Sequence, residues 1–142
     1  MLTDNAFFSG VEAASLMRVL PAFRLATFPP GATLYERGGA AHEVFLILSG
    51  SVAIVQRTGS ARTTVAVLGA GEFTGEGALF EPLPRHPWSA ICREETQVAV
   101  ADGDVLLAAL TALPALGVNV ARGLYRRVTD ATLAIDALIA SR

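Results

Sequence analysis

Lysine is missing from this chain: all 11 basic residues among its 142 positions are arginine. With 13 acidic residues the formal net charge is −2. No basic footprint therefore points to nucleic acid or to an anionic membrane surface. Arginine is the better phosphate fork, but a bias spread over the whole chain reads as genome composition and marks no site. Cysteine occurs once, at Cys92. That excludes an internal disulfide and fits a reducing, cytoplasmic compartment. Histidine occurs only at His42 and His86, in separate turn regions. Even with Glu43 they make a poor ligand set beside the clustered histidines of metal-binding barrels, and we expect no metal and no other cofactor. No serine, histidine and aspartate fall in a nucleophile-elbow context, so no catalytic residue and no enzyme activity are expected. The longest apolar runs fall well short of the roughly 18–20 residues a membrane span needs. The opening Met1-Leu2-Thr3-Asp4-Asn5 lacks the basic and apolar regions of a signal peptide.

What is present is a chain 52% hydrophobic and 17% charged, the composition of a folded globule of one domain over residues 1–142. Ser9, with Glu12 three residues on, has the spacing of a capping box ahead of a short helix over Val11–Leu20, which Pro21 closes. From Arg24 the period changes. Turn signals recur at Pro29-Pro30-Gly31, Gly38-Gly39, Ser49-Gly50, Thr58-Gly59-Ser60 and Gly69-Ala70-Gly71. Between and after them lie strand-like runs at Ala32–Glu36, Glu43–Leu48, Ser51–Arg57, Arg62–Leu68, Ser89–Cys92 and Thr96–Ala101. Short strands so spaced indicate an antiparallel barrel or sandwich, placed at about 24–101. Beyond Asp102-Gly103-Asp104 the pattern is helical, over about 104–140: a short helix at Val105–Leu113, then a long one from Pro114. Leu124, Val128, Ala131, Ile135 and Leu138 step by 4, 3, 4 and 3 along it, a heptad seam. The seam either packs along its own barrel or pairs with a second copy. The order predicts an α+β domain with helices at the ends of a β-barrel.

The chemistry concentrates in Phe73-Thr74-Gly75-Glu76-Gly77-Ala78-Leu79-Phe80. Two glycines flank a lone carboxylate in an apolar context. Glycines let a backbone turn tightly and bring its N–H groups close to an anion. A helical turn at Gly77–Phe80 would favour a phosphate. The carboxylate repels a phosphate and suits a hydroxyl donor such as a sugar 2′-OH. Taken alone, Gly-Glu-Gly is equally the pattern of a tight turn with a solvated glutamate.

Read in order, FPPGATLYERG, VFLILSGSVAIV, LGAGEFTGEGALF and WSAICREETQVAV, followed by a helix pair, resemble the cyclic-nucleotide-binding domain family of bacterial catabolite-activator-type regulators, kinase regulatory subunits and gated channels. The resemblance covers roughly Phe7 to Leu138. It implies an eight-stranded antiparallel β-roll, jelly-roll-like, with a short N-terminal helix and a long C-terminal helix. It implies a cassette in which Glu76, after Gly75, holds the ribose 2′-OH while the Gly77 and Ala78 amides meet the cyclic phosphate. Ser89 and Ala90 match the family's Ser-Ala pair. The candidate ligand-binding residues are thus Phe73, Gly75, Glu76, Gly77, Ala78, Leu79, Arg85, Trp88, Ser89, Ala90, Thr129 and Thr132, the two threonines standing where the long helix would cap a purine. The ligand the resemblance implies is a cyclic nucleotide, cAMP or cGMP, or a related phosphate.

One departure stands out. Where the family places a phosphate-pairing arginine, immediately before Ser-Ala, this chain has Trp88. Losing a charge-assisted pair of that kind costs on the order of 2–5 kcal/mol. Arg85, in the loop before it, either swings in to replace the cation or is a solvated loop residue. His86, beside Pro87, reads as a surface residue. Three further expectations follow. The long helix forms a homodimer, with Arg126 and Arg127 on the flank of its seam. With the chain stopping at Arg142, no helix-turn-helix follows and output passes to a separate effector protein. The module is a stand-alone sensor that binds its nucleotide weakly; the alternative is a degenerate, non-nucleotide-binding domain serving as a dimerising interaction module.

Overall fold

A computed structural model describes residues 2–81 and 84–140. Eight strands form two four-stranded sheets, and every pairing in them is antiparallel. The strands are β1 (Phe23–Phe28), β2 (Thr33–Tyr35), β3 (Glu43–Ser49), β4 (Val52–Thr58), β5 (Ala61–Leu68), β6 (Phe73–Thr74), β7 (Ser89–Cys92) and β8 (Thr96–Asp102). One sheet runs β1-β8-β3-β6 and the other β2-β7-β4-β5. Four α-helices accompany them: α1 (Ala13–Val19), α2 (Gly77–Phe80), α3 (Gly103–Ala112) and α4 (Pro114–Ala140). The α+β roll with a short N-terminal helix and a long C-terminal one is the fold the sequence indicates.

Local chemistry explains the differences from the sequence reading. The first helix starts at Ala13, with Glu12 before it making no side-chain cap, so the Ser9 capping box does not form. Asn5 instead accepts from the Phe7 N–H at 3.0 Å and caps a short 3₁₀ turn over Ala6–Phe8. Pro21 sits inside a further 3₁₀ turn, Leu20–Ala22, rather than ending the chain's helical stretch. β1 and β6 have no separate run in the sequence, because β1 alternates irregularly and β6 is only two residues long. Asp102 caps α3 by accepting from the Asp104 N–H at 3.0 Å.

Two apolar clusters make the core. Phe7, Phe8, Val44, Leu46, Phe73, Leu106, Leu116 and Val120 join the first sheet to the helices. Tyr35, Ile47, Val52, Ile54, Ala90, Cys92 and Val98 fill the roll between the sheets. Cys92 is 1% exposed, and burial pushes its thiol pKa up, so it acts as a small apolar side chain. The seam on α4 divides. Leu124 packs on the first cluster, whereas Val128, Ile135 and Leu138 are 65%, 56% and 69% exposed. No single helix among the described residues is long and apolar enough to cross a membrane.

Candidate functional site

The site grows outward from β6. Phe73 and Thr74 pair with Leu46 and Phe45 of β3, which fixes where the chain leaves the sheet. Gly75 then takes φ +83°, and a Cβ there would lie 2.6 Å from the Glu43 carbonyl oxygen. Only glycine combines that backbone with so close an approach. The turn delivers Glu76 to the start of α2. Within α2 the Ala78 N–H donates to the Gly75 carbonyl at 3.1 Å and the Leu79 N–H to the Glu76 carbonyl at 2.9 Å. The Ala78 amide, expected to meet a phosphate, is thus engaged in the turn itself. Leu79 is buried in the first core cluster.

Glu76 does not stand in open solvent. Its carboxylate accepts from Nη1 of Arg127 on α4, and the two side chains are 18% and 19% exposed. Nη2 of the same guanidinium donates to the Phe73 carbonyl. The guanidinium lies over the Phe73 ring, 5.4 Å from its centroid. Its Nε is buried without a hydrogen-bond partner among the described residues. Gly123, one turn before, lets the helix come this close: a Cβ there would lie 2.6 Å from Phe73 Cε1. Arg127, three residues after Leu124 of the seam, sits at the carboxylate. The signal for it was a lone carboxylate in an apolar context, which needs a cation.

The facing wall is aromatic. His86 stacks on Tyr35 with ring centroids 3.7 Å apart and planes at 13°. It is 7% exposed, not a surface residue. The reason is backbone pairing: Gly38 N–H donates to the His86 carbonyl at 2.8 Å, His86 N–H to the Gly39 carbonyl at 2.9 Å, and Ala41 N–H to the Pro84 carbonyl at 2.9 Å. That pairing folds the imidazole inward, where burial lowers its pKa and the neighbouring His42 lowers it further. The Tyr35 hydroxyl shares a hydrogen bond with Thr74 Oγ1. Burial pushes the Tyr35 pKa up, while hydrogen bonds with Thr74 and Trp88 counter it. Trp88 packs against the core of the roll and closes one side of a cavity of about 420 Å³ lined also by Gly75, Glu76, Gly77, Phe80 and Tyr35.

Most other expected site residues fall elsewhere. Arg85 lines the cavity, but its Nη1 donates to the Gly38 carbonyl at 2.9 Å. Ala78 lines an adjoining cavity. Ala90 is fully buried inside the roll. Ser89, its neighbour on β7, lines a concavity apart from this one and accepts from the Arg37 N–H at 3.0 Å. Thr129 and Thr132 bond back along α4, to the carbonyls of Tyr125 at 3.0 Å and Val128 at 2.9 Å. Tyr35 and His86, which line the cavity, and Arg127, which pairs with Glu76 from α4, are residues that sequence reasoning did not supply. The first two carry no local motif and meet only through long-range pairing.

Known proteins share this fold. The cyclic AMP receptor protein of Thermus thermophilus is 30% identical over 138 residues, which are 96% of this chain and 63% of that protein. A CRP-like cAMP-activated global transcriptional regulator of Mycobacterium tuberculosis is 27% identical over 129 residues, 90% of this chain and 57% of that one. The chain therefore spans less than two thirds of the length of either relative. The crystal structure of the Thermus thermophilus catabolite activator protein superposes with a TM-score of 0.76 at 28% identity, over 94% of this chain and 62% of that one. Residues 25–112 match the sequence profile of the cyclic nucleotide-binding domain. With the roll, the Gly75-Glu76 turn and the long helix in place, the chain belongs to the cyclic nucleotide-binding domain family.

Proposed function

We propose that this chain is a non-enzymatic regulatory module that admits cAMP or cGMP weakly and transmits occupancy to α4, acting in a reducing, cytoplasmic setting. The observation that carries the reading is the ion pair between Glu76, in the cavity wall, and Arg127, on the long helix. A ribose hydroxyl donating to Glu76 competes with Arg127 for the same carboxylate, so ligand and helix position are coupled. The ligand then shifts a population between two packings of α4. Weakness follows from the other wall. Trp88 offers no charge where the family's arginine would pair the phosphate, and Arg85 is held by the Gly38 carbonyl. The missing charge lowers affinity by roughly 30- to several-thousand-fold. Titration calorimetry with both nucleotides tests this: sub-micromolar binding to the wild type would sink the claim of weakness.

A second reading rests on α4. Its exposed Val128, Ile135 and Leu138 form an apolar strip continuous with Leu124. A second copy of the chain is the self-complementary partner for such a strip. In this reading the module dimerises, and a separate effector protein takes the output whether or not a nucleotide binds. Sedimentation equilibrium at tens of micromolar would show dimer; monomer alone counts against it.

A further inference from the structure

Alternation along β7 sends Ala90 and Cys92 into the roll and leaves Ser89 and Ile91 on the other face of the sheet. There Ser89, Ile91, Val55 and Thr33 contribute to a concavity of about 260 Å³, smaller than the 420 Å³ cavity at Glu76. Arg37, Arg57 and Arg62 line it as well. Arg57 of β4 lies directly opposite Arg62 of β5 in the antiparallel register. Like charges in that position repel and destabilise a strand pair. Among the described residues none of these three arginines makes an ion pair. Glu36 also lines the concavity, so its lining carries three positive charges and one negative, a local +2 in a chain of net −2. Arg37 is positioned by its own N–H, which donates to Ser89 Oγ at 3.0 Å. That leaves the Ser89 hydroxyl proton available to a second acceptor.

We propose that this concavity is a second binding site, for a tetrahedral phosphate dianion. Guanidinium forks match phosphate oxygens bidentately, and the half-buried floor of Ile91 beside buried Val55 lowers the local dielectric. A dianion between Arg57 and Arg62 replaces their repulsion with two attractions, so it also stabilises the β4–β5 hairpin by mass action. The phosphate is either free inorganic phosphate or one carried on a short polyol. The site shares no lining residue with the Glu76 cavity, so it stands or falls independently of nucleotide binding there.

Amide NMR titration of the full chain, at ionic strength held constant with sodium chloride, tests it with inorganic phosphate and with ribose 5-phosphate. The expected result is saturable shifts concentrated at residues 33–37, 55–62 and 89–91. The double variant Arg57→Gln/Arg62→Gln is expected to bind at least about tenfold more weakly. In the absence of phosphate it unfolds no lower than wild type, since it sheds a like-charge pair. Arg37→Gln lies outside the hairpin and gives the same readout should the double substitution disturb the fold. Tighter binding of ribose 5-phosphate identifies the carried phosphate, and equal binding the free ion. Shifts concentrated at residues 75–80, no saturation beyond the chloride control, or undiminished binding by both variants would overturn the site.

Discussion

The two walls of the Glu76 cavity are made on different principles. One is a backbone wall: Gly75 at φ +83° against the Glu43 carbonyl, then a four-residue helix that presents Glu76. Its shape tolerates almost no change, because the atoms that meet are main chain. The other is a side-chain wall of Tyr35, His86 and Trp88, held by stacking and by pairing of residues 38–41 with 84–86. Its character depends on which side chain occupies position 88. The contrast separates what makes the cavity exist from what makes it bind: the first wall is conformational, the second is charge and volume.

The largest expected effect breaks the first wall. Gly75→Ala forces a left-handed backbone on a residue with a Cβ and drives that Cβ into a carbonyl. We expect a loss of roughly 2–4 kcal/mol of stability by urea unfolding. An unchanged midpoint would mean the turn is not so constrained. The second wall should respond oppositely. Trp88→Arg is expected to leave the fold intact and raise cAMP or cGMP affinity on the order of 30-fold or more by calorimetry. No gain would mean that the cavity is wrong in shape and not only in charge. The first wall also carries the Glu76–Arg127 pair. Glu76→Gln leaves a partly buried guanidinium short of its anion and should cost about 1–3 kcal/mol. A double-mutant cycle with Arg127→Ala would assign that cost to the pair.

The smallest effect is a pH dependence. His86 in the folded chain has a pKa below its ordinary 6.5, so the unfolded chain binds the proton more readily. Its contribution to stability is therefore complete above about pH 6.5 and is lost as the pH falls through the lowered folded value. His86→Phe, which keeps a ring against Tyr35, should flatten the stability curve over that window in thermal unfolding from pH 5 to 8. An equally steep curve would place the titrating group elsewhere.

Much of this was legible in local pattern. Val44, Leu46 and Leu48 alternating with Phe45 and Ile47 mark a strand, and Gly75-Glu76-Gly77 marks a sharp turn carrying a carboxylate. β1 and β6 were not, since an irregular six-residue strand and a two-residue strand have no period to detect. His86 misled because a histidine between prolines resembles surface loop. Only the pairing of its backbone with Gly38 and Gly39 turns the ring inward. Ser89 misled by adjacency: in a strand, neighbours face opposite sides, so Ser89 and Ala90 cannot share one pocket.

The roll, the turn at Gly75 and the tryptophan at position 88 can be read from local pattern, because each is written in residues close together along the chain. Tertiary structure alone decided which cation meets Glu76 and which ring backs Tyr35. It also placed three arginines around one concavity on the far face of β7. Those meetings join residues tens of positions apart. Strand register and the approach of α4 to Phe73 fix them, and nothing in the local pattern records either.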